Sequence, residues 1–125
     1  MVNICYAQQV PAARPILPLQ DLSSCCEPLA AEIPGEQESA RLAAAFRALG
    51  DPVRLRLLGL LLAEEDAAVC ACDLTEPLGR SQPTVSHHLK VLREAGLVRA
   101  TRRGTNILYT VRTDQLAALR DVLGP

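Results

Sequence analysis

The sequence predicts a mainly α-helical domain with one small β-hairpin, arranged as a winged helix-turn-helix. Three observations predict this class: aliphatic residues at helical spacing, a serine-capped helix following a short apolar segment, and two β-prone segments around Gly104. Of the 125 residues, 49% are hydrophobic, yet the chain has one Phe, two Tyr and no Trp. The core is therefore expected to be aliphatic, a composition that favours helices.

The first third of the chain differs from the remainder. Residues 1–34 contain five of the nine prolines and no clear periodicity, which predicts a partly ordered arm that carries Cys25 and Cys26. Residues 35–125 are expected to form the winged helix-turn-helix domain. The longest strongly apolar stretch, 57–63, is far shorter than the roughly 20 residues of a membrane span, and no secretory signal is evident. We therefore expect no membrane contact and a cytoplasmic location.

Two helices are predicted to open the domain. Apolar residues recur at helical spacing from Glu36 to Leu49, and Gly50 follows as a stop. Asp51 is placed to cap a second helix with Pro52 in its first turn. The second helix is expected to be the most buried element, through Val53, Leu57, Leu58, Leu60, Leu61 and Leu62.

A helix-turn-helix is predicted next. A short helix is expected from about Cys70 to Leu78, ending near Gly79, and Ser81 caps the following helix, which tolerates Pro83 in its first turn. The helix capped by Ser81 is expected to turn Val85, Leu89 and Leu92 inward and to end near Gly96.

A hairpin and a final helix complete the prediction. Residues 97–103 and 106–112 are rich in Val, Ile, Thr and Tyr around a turn at Gly104, as a wing should be. The last helix starts at Asp114, and its stripe is predicted to be Leu116, Leu119 and Leu123. It is too short to be stable alone, so a dimer partner is the expected packing surface.

The charge distribution indicates a surface for DNA. The segment 80–112 holds seven basic residues and one acidic residue, although the whole chain has a net charge of −1. Adjacent His87 and His88 diverge by about 100° on a helix and cannot readily chelate one ion, so His88 is expected to be packed or hydrogen-bonded. The candidates for base contact are Gln82, Thr84, Ser86 and His87, and those for phosphate contact are Lys90, Arg93, Arg102 and Arg103.

Four segments carry a resemblance to a known family. "ALGDPVRLRLLGLL", "VCACDLTEPL", "SQPTVSHHLKVLREAGLV" and "RRGTNILYTVR" resemble, in order, segments of the ArsR/SmtB winged-helix metal-responsive repressors. The resemblance covers about 36–123 and implies a homodimer that binds operator DNA when metal-free and releases it when an inducer binds. It also implies dimer contacts from the first and last helices. The zinc site that some members place on the last helix is not expected, because that helix has no His.

Arsenic-responsive members of that family often carry Cys-Val-Cys-Asp-Leu-Cys where this chain has Cys70, Cys72, Asp73 and Leu74. Thr75 stands in place of the third cysteine. Two helical residues separated by one other residue point about 200° away from each other. Joint binding of one ion by Cys70 and Cys72 is therefore expected to unwind the start of the helix. Such binding would oppose DNA binding through helix geometry.

Cys25 and Cys26 are the expected source of the missing ligand, and two arrangements stay open. Either the arm folds over Cys70 and Cys72, within one chain or across a dimer, or Cys25 and Cys26 join one of them. Three thiolates suit As(III) or Sb(III) as the inducer, with no permanent cofactor. A Cd(II) or Pb(II) sensor and a thiol redox sensor are the alternatives. The thiols, including that of Cys5, are expected to be reduced.

Other classes of protein fit less well. The sequence has no Cys-x-x-Cys, no phosphate-binding glycine loop and no nucleophile with its base, so an enzyme is not expected. The four-ligand spacing of a structural zinc module is also missing. A cytosolic metalloid carrier would leave the basic segment unexplained.

Overall fold

The computed structural model describes residues 33–64 and 67–124. Its elements are, in order, α1 (Glu36–Leu49), α2 (Pro52–Ala63), β1 (Val69–Cys70), a 3₁₀ turn (Ala71–Asp73), α3 (Thr75–Leu78), α4 (Gln82–Glu94), β2 (Val98–Arg103), β3 (Asn106–Val111) and α5 (Thr113–Leu123). The strands form an antiparallel sheet in the order β1-β3-β2. The predicted winged helix-turn-helix is confirmed, since α3 and α4 form the helix pair and β2 and β3 form the wing.

The predicted helices α1, α2 and α4 are confirmed, and the predicted caps of α2 and α4 form hydrogen bonds. The backbone N–H of Arg54 donates to the Asp51 carboxylate at 3.0 Å, which caps α2 as predicted, and Pro52 occupies its first turn. Ser81 caps α4 by accepting from the Thr84 N–H. Gly79 ends α3 with a φ of 65°, a left-handed conformation that glycine adopts without steric cost.

The centre of the core lies between α2 and α4. Leu57 and Leu61 of α2 pack with Val85, Leu89 and Leu92 of α4, and all five are essentially inaccessible to solvent. The predicted inward stripe of α4 is therefore confirmed. Burying these aliphatic side chains supplies the main driving force for folding, at roughly 25 cal/mol per Å² of apolar surface.

The residues predicted to be buried in α2 and α5 are partly wrong. In α2, Leu62 is exposed and Val53 and Leu60 are only half-buried, because a helix with leucines on all sides can turn only one face to this core. In α5, Leu119 is buried, but Leu123 is 66% exposed and Leu116 is half-buried. The buried face of α5 is instead made by Gln115, Ala118, Leu119 and Val122.

The predicted helix from Cys70 to Leu78 is also wrong at its start. Val69 and Cys70 form the strand β1, the 3₁₀ turn follows, and α3 begins only at Thr75. β1 pairs with β3 through Val69 opposite Tyr109 and Cys70 opposite Leu108. This tertiary pairing satisfies the backbone of β1 in an extended conformation, so the segment does not continue as a helix.

Candidate DNA interface and thiol site

The outer face of α4 presents polar side chains next to the basic wing. Because Val85, Leu89 and Leu92 face the core, residues displaced from them around the helix must face outward. Gln82, Lys90 and Arg93 are exposed, as their predicted roles require. A helix with this outer face fits a DNA major groove, where amides meet base edges and cations meet phosphates.

Three other predicted base-contact residues are less accessible. Thr84, Ser86 and His87 are half-buried. The Thr84 hydroxyl accepts a hydrogen bond from the Ser81 hydroxyl at 3.1 Å, so part of its capacity is used in the cap. The Nε2 atom of His87 is covered by protein and has no hydrogen-bond partner, so another atom of its ring, or a turned ring, would have to meet DNA.

The pKa values of the two adjacent histidines are shifted below their ordinary value. Burial is the main cause that lowers the pKa of His87, helped by the nearby positive charges of Arg54 and Lys90. Burial likewise lowers the pKa of His88. The positive potential of this surface therefore comes from the lysine and arginines rather than from His87.

The wing carries its arginines at the hairpin tip. Arg102 and Arg103 are exposed, and they lie opposite Ile107 and Asn106 in the β2-β3 register. Gly104 opens the tip with a φ of 65°, and the turn predicted there is confirmed. Because successive strand residues point to opposite faces of the sheet, Arg102 and Arg103 extend from opposite faces of the wing, and a DNA backbone on one face lies closer to one of them.

Cys70 and Cys72 converge in the structure. Their Cα atoms are 5.2 Å apart and their Sγ atoms are in close contact, in place of the separated thiols predicted from the sequence. The prediction that the two side chains diverge by about 200° is wrong, because it assumed a regular α-helix. Cys70 is extended, with φ −77° and ψ 145°, and Cys72 lies in the 3₁₀ turn, so both sulfurs reach one side.

Local hydrogen bonds hold this convergent backbone. The Cys70 sulfur accepts from the Cys72 N–H at 3.3 Å, which makes Cys70 the N-cap of the 3₁₀ turn. The Thr75 hydroxyl donates to the Cys72 carbonyl at 3.1 Å. Cys70 is half-buried and Cys72 is exposed, so a thiol-reactive species can approach from solvent without the turn unwinding.

The described residues supply two thiols but no complete metal site. Within 33–64 and 67–124, no three His, Cys, Asp or Glu side chains are grouped so that they could hold a metal ion. The predicted ligands Cys25 and Cys26 lie outside the described residues. In the same described part, no helix is long and apolar enough to cross a membrane.

Sequence reasoning missed two features that link the site to the fold. Strand β1 has only two residues, too few for an alternating pattern to be visible. The second feature is Arg54, whose side chain is buried and hydrogen-bonded to His88. Its sequence signal was available, since Arg54 falls at helical spacing with Leu57, Leu58 and Leu61 on the face that α2 buries.

The fold and the polar outer face of α4 define a winged helix-turn-helix DNA-binding protein. Residues 51–100 match the model of a family described as bacterial regulatory protein, arsR family. The chain is 40% identical over 75 residues to the arsenical resistance operon repressor of Staphylococcus xylosus, covering 60% of this chain and 69% of that one.

Solved structures agree with this assignment. An ArsR-like transcriptional regulator from Rhodococcus sp. RHA1 superposes with a TM-score of 0.59 at 30% identity, covering 67% of this chain and 76% of the other. The homodimeric winged helix-turn-helix DNA-binding domain of a Mycobacterium bovis protein gives a TM-score of 0.56 at 26% identity, covering 70% and 79%. The chain belongs to the arsR family of bacterial regulatory proteins. Like its relatives, it is a DNA-binding transcriptional regulator and not an enzyme.

Proposed function

We propose that this protein is a metalloid-responsive repressor that binds operator DNA as a homodimer and leaves it when As(III) or Sb(III) binds cysteine thiolates. The observation that carries the proposal is the convergence of Cys70 and Cys72 on a segment joined to both parts of the DNA interface. Cys70 pairs with Leu108 of the wing, and the 3₁₀ turn packs against α4.

The donor set suits a trivalent metalloid. Soft thiolates select thiophilic ions, and each thiol that binds arsenous acid replaces one hydroxyl group, which leaves with the thiol proton as water. Cys70 and Cys72 supply two of the three sulfurs. Cys25 or Cys26 is the proposed third donor, from the same chain or from a partner, because Thr75 stands where the family's third cysteine would be.

The proposed DNA contacts follow from side-chain exposure and charge. Gln82, with Thr84, Ser86 and His87 beside it, is proposed to meet base edges, and Lys90, Arg93, Arg102 and Arg103 are proposed to neutralise phosphates. The exposure of Gln82 and of the four cationic side chains supports these roles, whereas Thr84, Ser86 and His87 are half-buried.

The proposed dimer uses α1 and α5. Leu123 of α5 is 66% exposed and Leu116 is half-buried, so both are available to a second copy. The homodimeric M. bovis neighbour supports this assembly. We also propose that residues 1–34 form an arm outside the domain of residues 35–125, and that the repressor acts in the cytoplasm, where its operator lies.

The two ligands are proposed to oppose each other through the sheet. A third sulfur that pulls on Cys70 or Cys72 would shift β1, and β1 is hydrogen-bonded to the wing strand β3. DNA favours one wing position and the ligated thiols favour another, so each ligand weakens the binding of the other by the same factor.

The test is fluorescence anisotropy of a labelled duplex from directly upstream of the gene, bound to reduced protein and titrated with arsenite. Cys70→Ser and Cys72→Ser are the informative variants, because each removes one sulfur with little change in side-chain size. At position 70, a serine hydroxyl can also replace the sulfur as the N-cap of the 3₁₀ turn. Cys5→Ser is the matched control. Release from the wild type and Cys5→Ser, but not from the other two variants, supports the proposal. Tight DNA binding that arsenite leaves unchanged in the wild type contradicts it.

A second candidate function is redox sensing, which the closeness of the Cys70 and Cys72 sulfurs favours. Oxidation would join the same two sulfurs and, through β1, act on the same wing. DNA release by a mild thiol oxidant without arsenite, reversed by dithiothreitol, would support this function. Release by Cd(II) or Pb(II) in place of arsenite would identify a metal sensor that uses the same thiols.

A further inference from the structure

The guanidinium of Arg54 lies buried where α1, α2 and α4 meet. The residue is 1% exposed, and its three nitrogens all have partners. Nε donates to the Ala48 carbonyl, one terminal nitrogen lies 3.4 Å from the Arg47 carbonyl, and the other lies 3.2 Å from Nδ1 of His88. A single side chain therefore joins the last carbonyls of α1 to the inner face of α4.

His88 is the partner that makes this contact specific. It is 3% exposed and lies on the inner face of α4 beside the buried Val85, Leu89 and Leu92. Arginine only donates hydrogen bonds, so Nδ1 of His88 must accept and the ring proton must be on Nε2. The imidazole is neutral in this arrangement, and its burial lowers its pKa in agreement with that state.

The location of His88 gives the bond a consequence for DNA binding. Ser86 and Lys90 are each two positions from His88, about 200° around the helix, so His88 anchors the side opposite the outer face. The packed leucines set the inward face of α4 through contacts that have no directional preference, whereas a hydrogen bond weakens steeply when its geometry changes. The bond therefore adds a directional constraint on the rotation of α4 to the constraint that packing supplies.

We propose that Arg54 and His88 are positioning residues for DNA recognition, whose hydrogen bond fixes the rotation of α4 about its axis. Neither residue touches DNA in this arrangement. The proposal rests on DNA binding by α4 but not on the identity of the inducer. It would stand if arsenite proved not to be the signal.

The simpler explanation is that the bond only satisfies two buried polar groups and stabilises the fold. The two explanations differ in what they predict for specificity. A general loss of stability lowers operator binding and non-specific binding together, through the folded fraction. A rotated but folded α4 loses base contacts, while exposed cations still reach phosphates, so only the specificity ratio falls.

The test compares His88→Leu with His88→Asn. Leucine fills the space without an acceptor, and the asparagine oxygen can take the place of Nδ1. Anisotropy at one pH and one salt concentration measures affinity for the upstream duplex and for a scrambled duplex of equal length. Thermal melts by circular dichroism establish that each variant is folded at the assay temperature.

We expect His88→Leu to lower the ratio of specific to non-specific affinity by about tenfold or more, the size of losing one good base contact. His88→Asn should recover most of that ratio, and non-specific affinity should change little in either variant. An unchanged ratio in His88→Leu, or an equal loss in both variants, would overturn the proposal. Failure of the wild type to prefer the upstream duplex would instead count against the proposed function.

Two further measurements protect the test against a His88 variant that does not fold. Arg54→Lys keeps the positive charge but cannot reach three acceptors with one ammonium group, and it is expected to lower the same ratio. Nitrogen-15 NMR of the His88 imidazole in the wild type at neutral pH should show an unprotonated Nδ1 and a protonated Nε2. The opposite tautomer, or full specificity in Arg54→Lys, would refute the assignment.

Discussion

Neighbouring residues on α4 should separate stability from DNA affinity. Leu89 is fully buried and Lys90 is exposed, and they diverge by about 100° around the helix. Truncating a fully buried leucine to alanine removes its packing and leaves a cavity, which costs about 2–5 kcal/mol. Leu89→Ala should therefore lower the melting temperature by at least about 8 °C, because 1 kcal/mol shifts a domain of this size by about 4–8 °C.

Lys90→Ala should behave in the opposite way. An exposed surface substitution changes stability by no more than about 0.5 kcal/mol. The loss of one phosphate contact should make the slope of log affinity against log salt shallower by about 0.9 per contact. Thermal melts at one fixed protein concentration measure the first quantity, and anisotropy across a salt series measures the second.

The two variants together test how α4 is oriented. If the free energy of unfolding of Leu89→Ala were within about 0.5 kcal/mol of the wild-type value, the side chain would not be packed in the core. If Lys90→Ala lowered stability and left the salt slope unchanged, the outer face of α4 would be assigned wrongly. Either result would refute the orientation on which the candidate DNA interface depends.

Three other predictions test the wing, the buried histidine and the thiol site. Gly104→Ala should cost about 1 kcal/mol in melts, because the positive φ and not the space at the turn disfavours a side chain, and Gly104→Asn should cost less. Burial lowers the pKa of His88 from its ordinary value of 6.5, so the unfolded chain binds more protons just below that pH. Stability should be flat above this value and fall as the pH is lowered beneath it, and melts of His88→Asn should fall less. Thr75→Cys should restore arsenite-induced DNA release, measured by anisotropy, in a chain that lacks Cys25 and Cys26, and no recovery would argue against a third ligand at that position.

The local chemistry of the helices was predictable from the sequence. Asp51 and Ser81 cap α2 and α4 as expected, because a capping side chain bonds to backbone only three residues away. The rotation of α4 was predictable for a similar reason, since Val85, Leu89 and Leu92 define one face by spacing alone. The same reasoning was less successful for α5, where Leu123 continues the stripe but faces solvent.

We could predict the helix pair, the basic segment and the wing from the sequence, because each depends on residues close together along the chain. The orientation of Cys70 and Cys72 and the partner of Arg54, by contrast, depend on the tertiary structure. Cys70 is extended because it pairs with Leu108 on β3, and Arg54 finds His88 across 34 positions. Such pairings depend on packing between elements distant along the chain, and periodicity within one element carries no information about them.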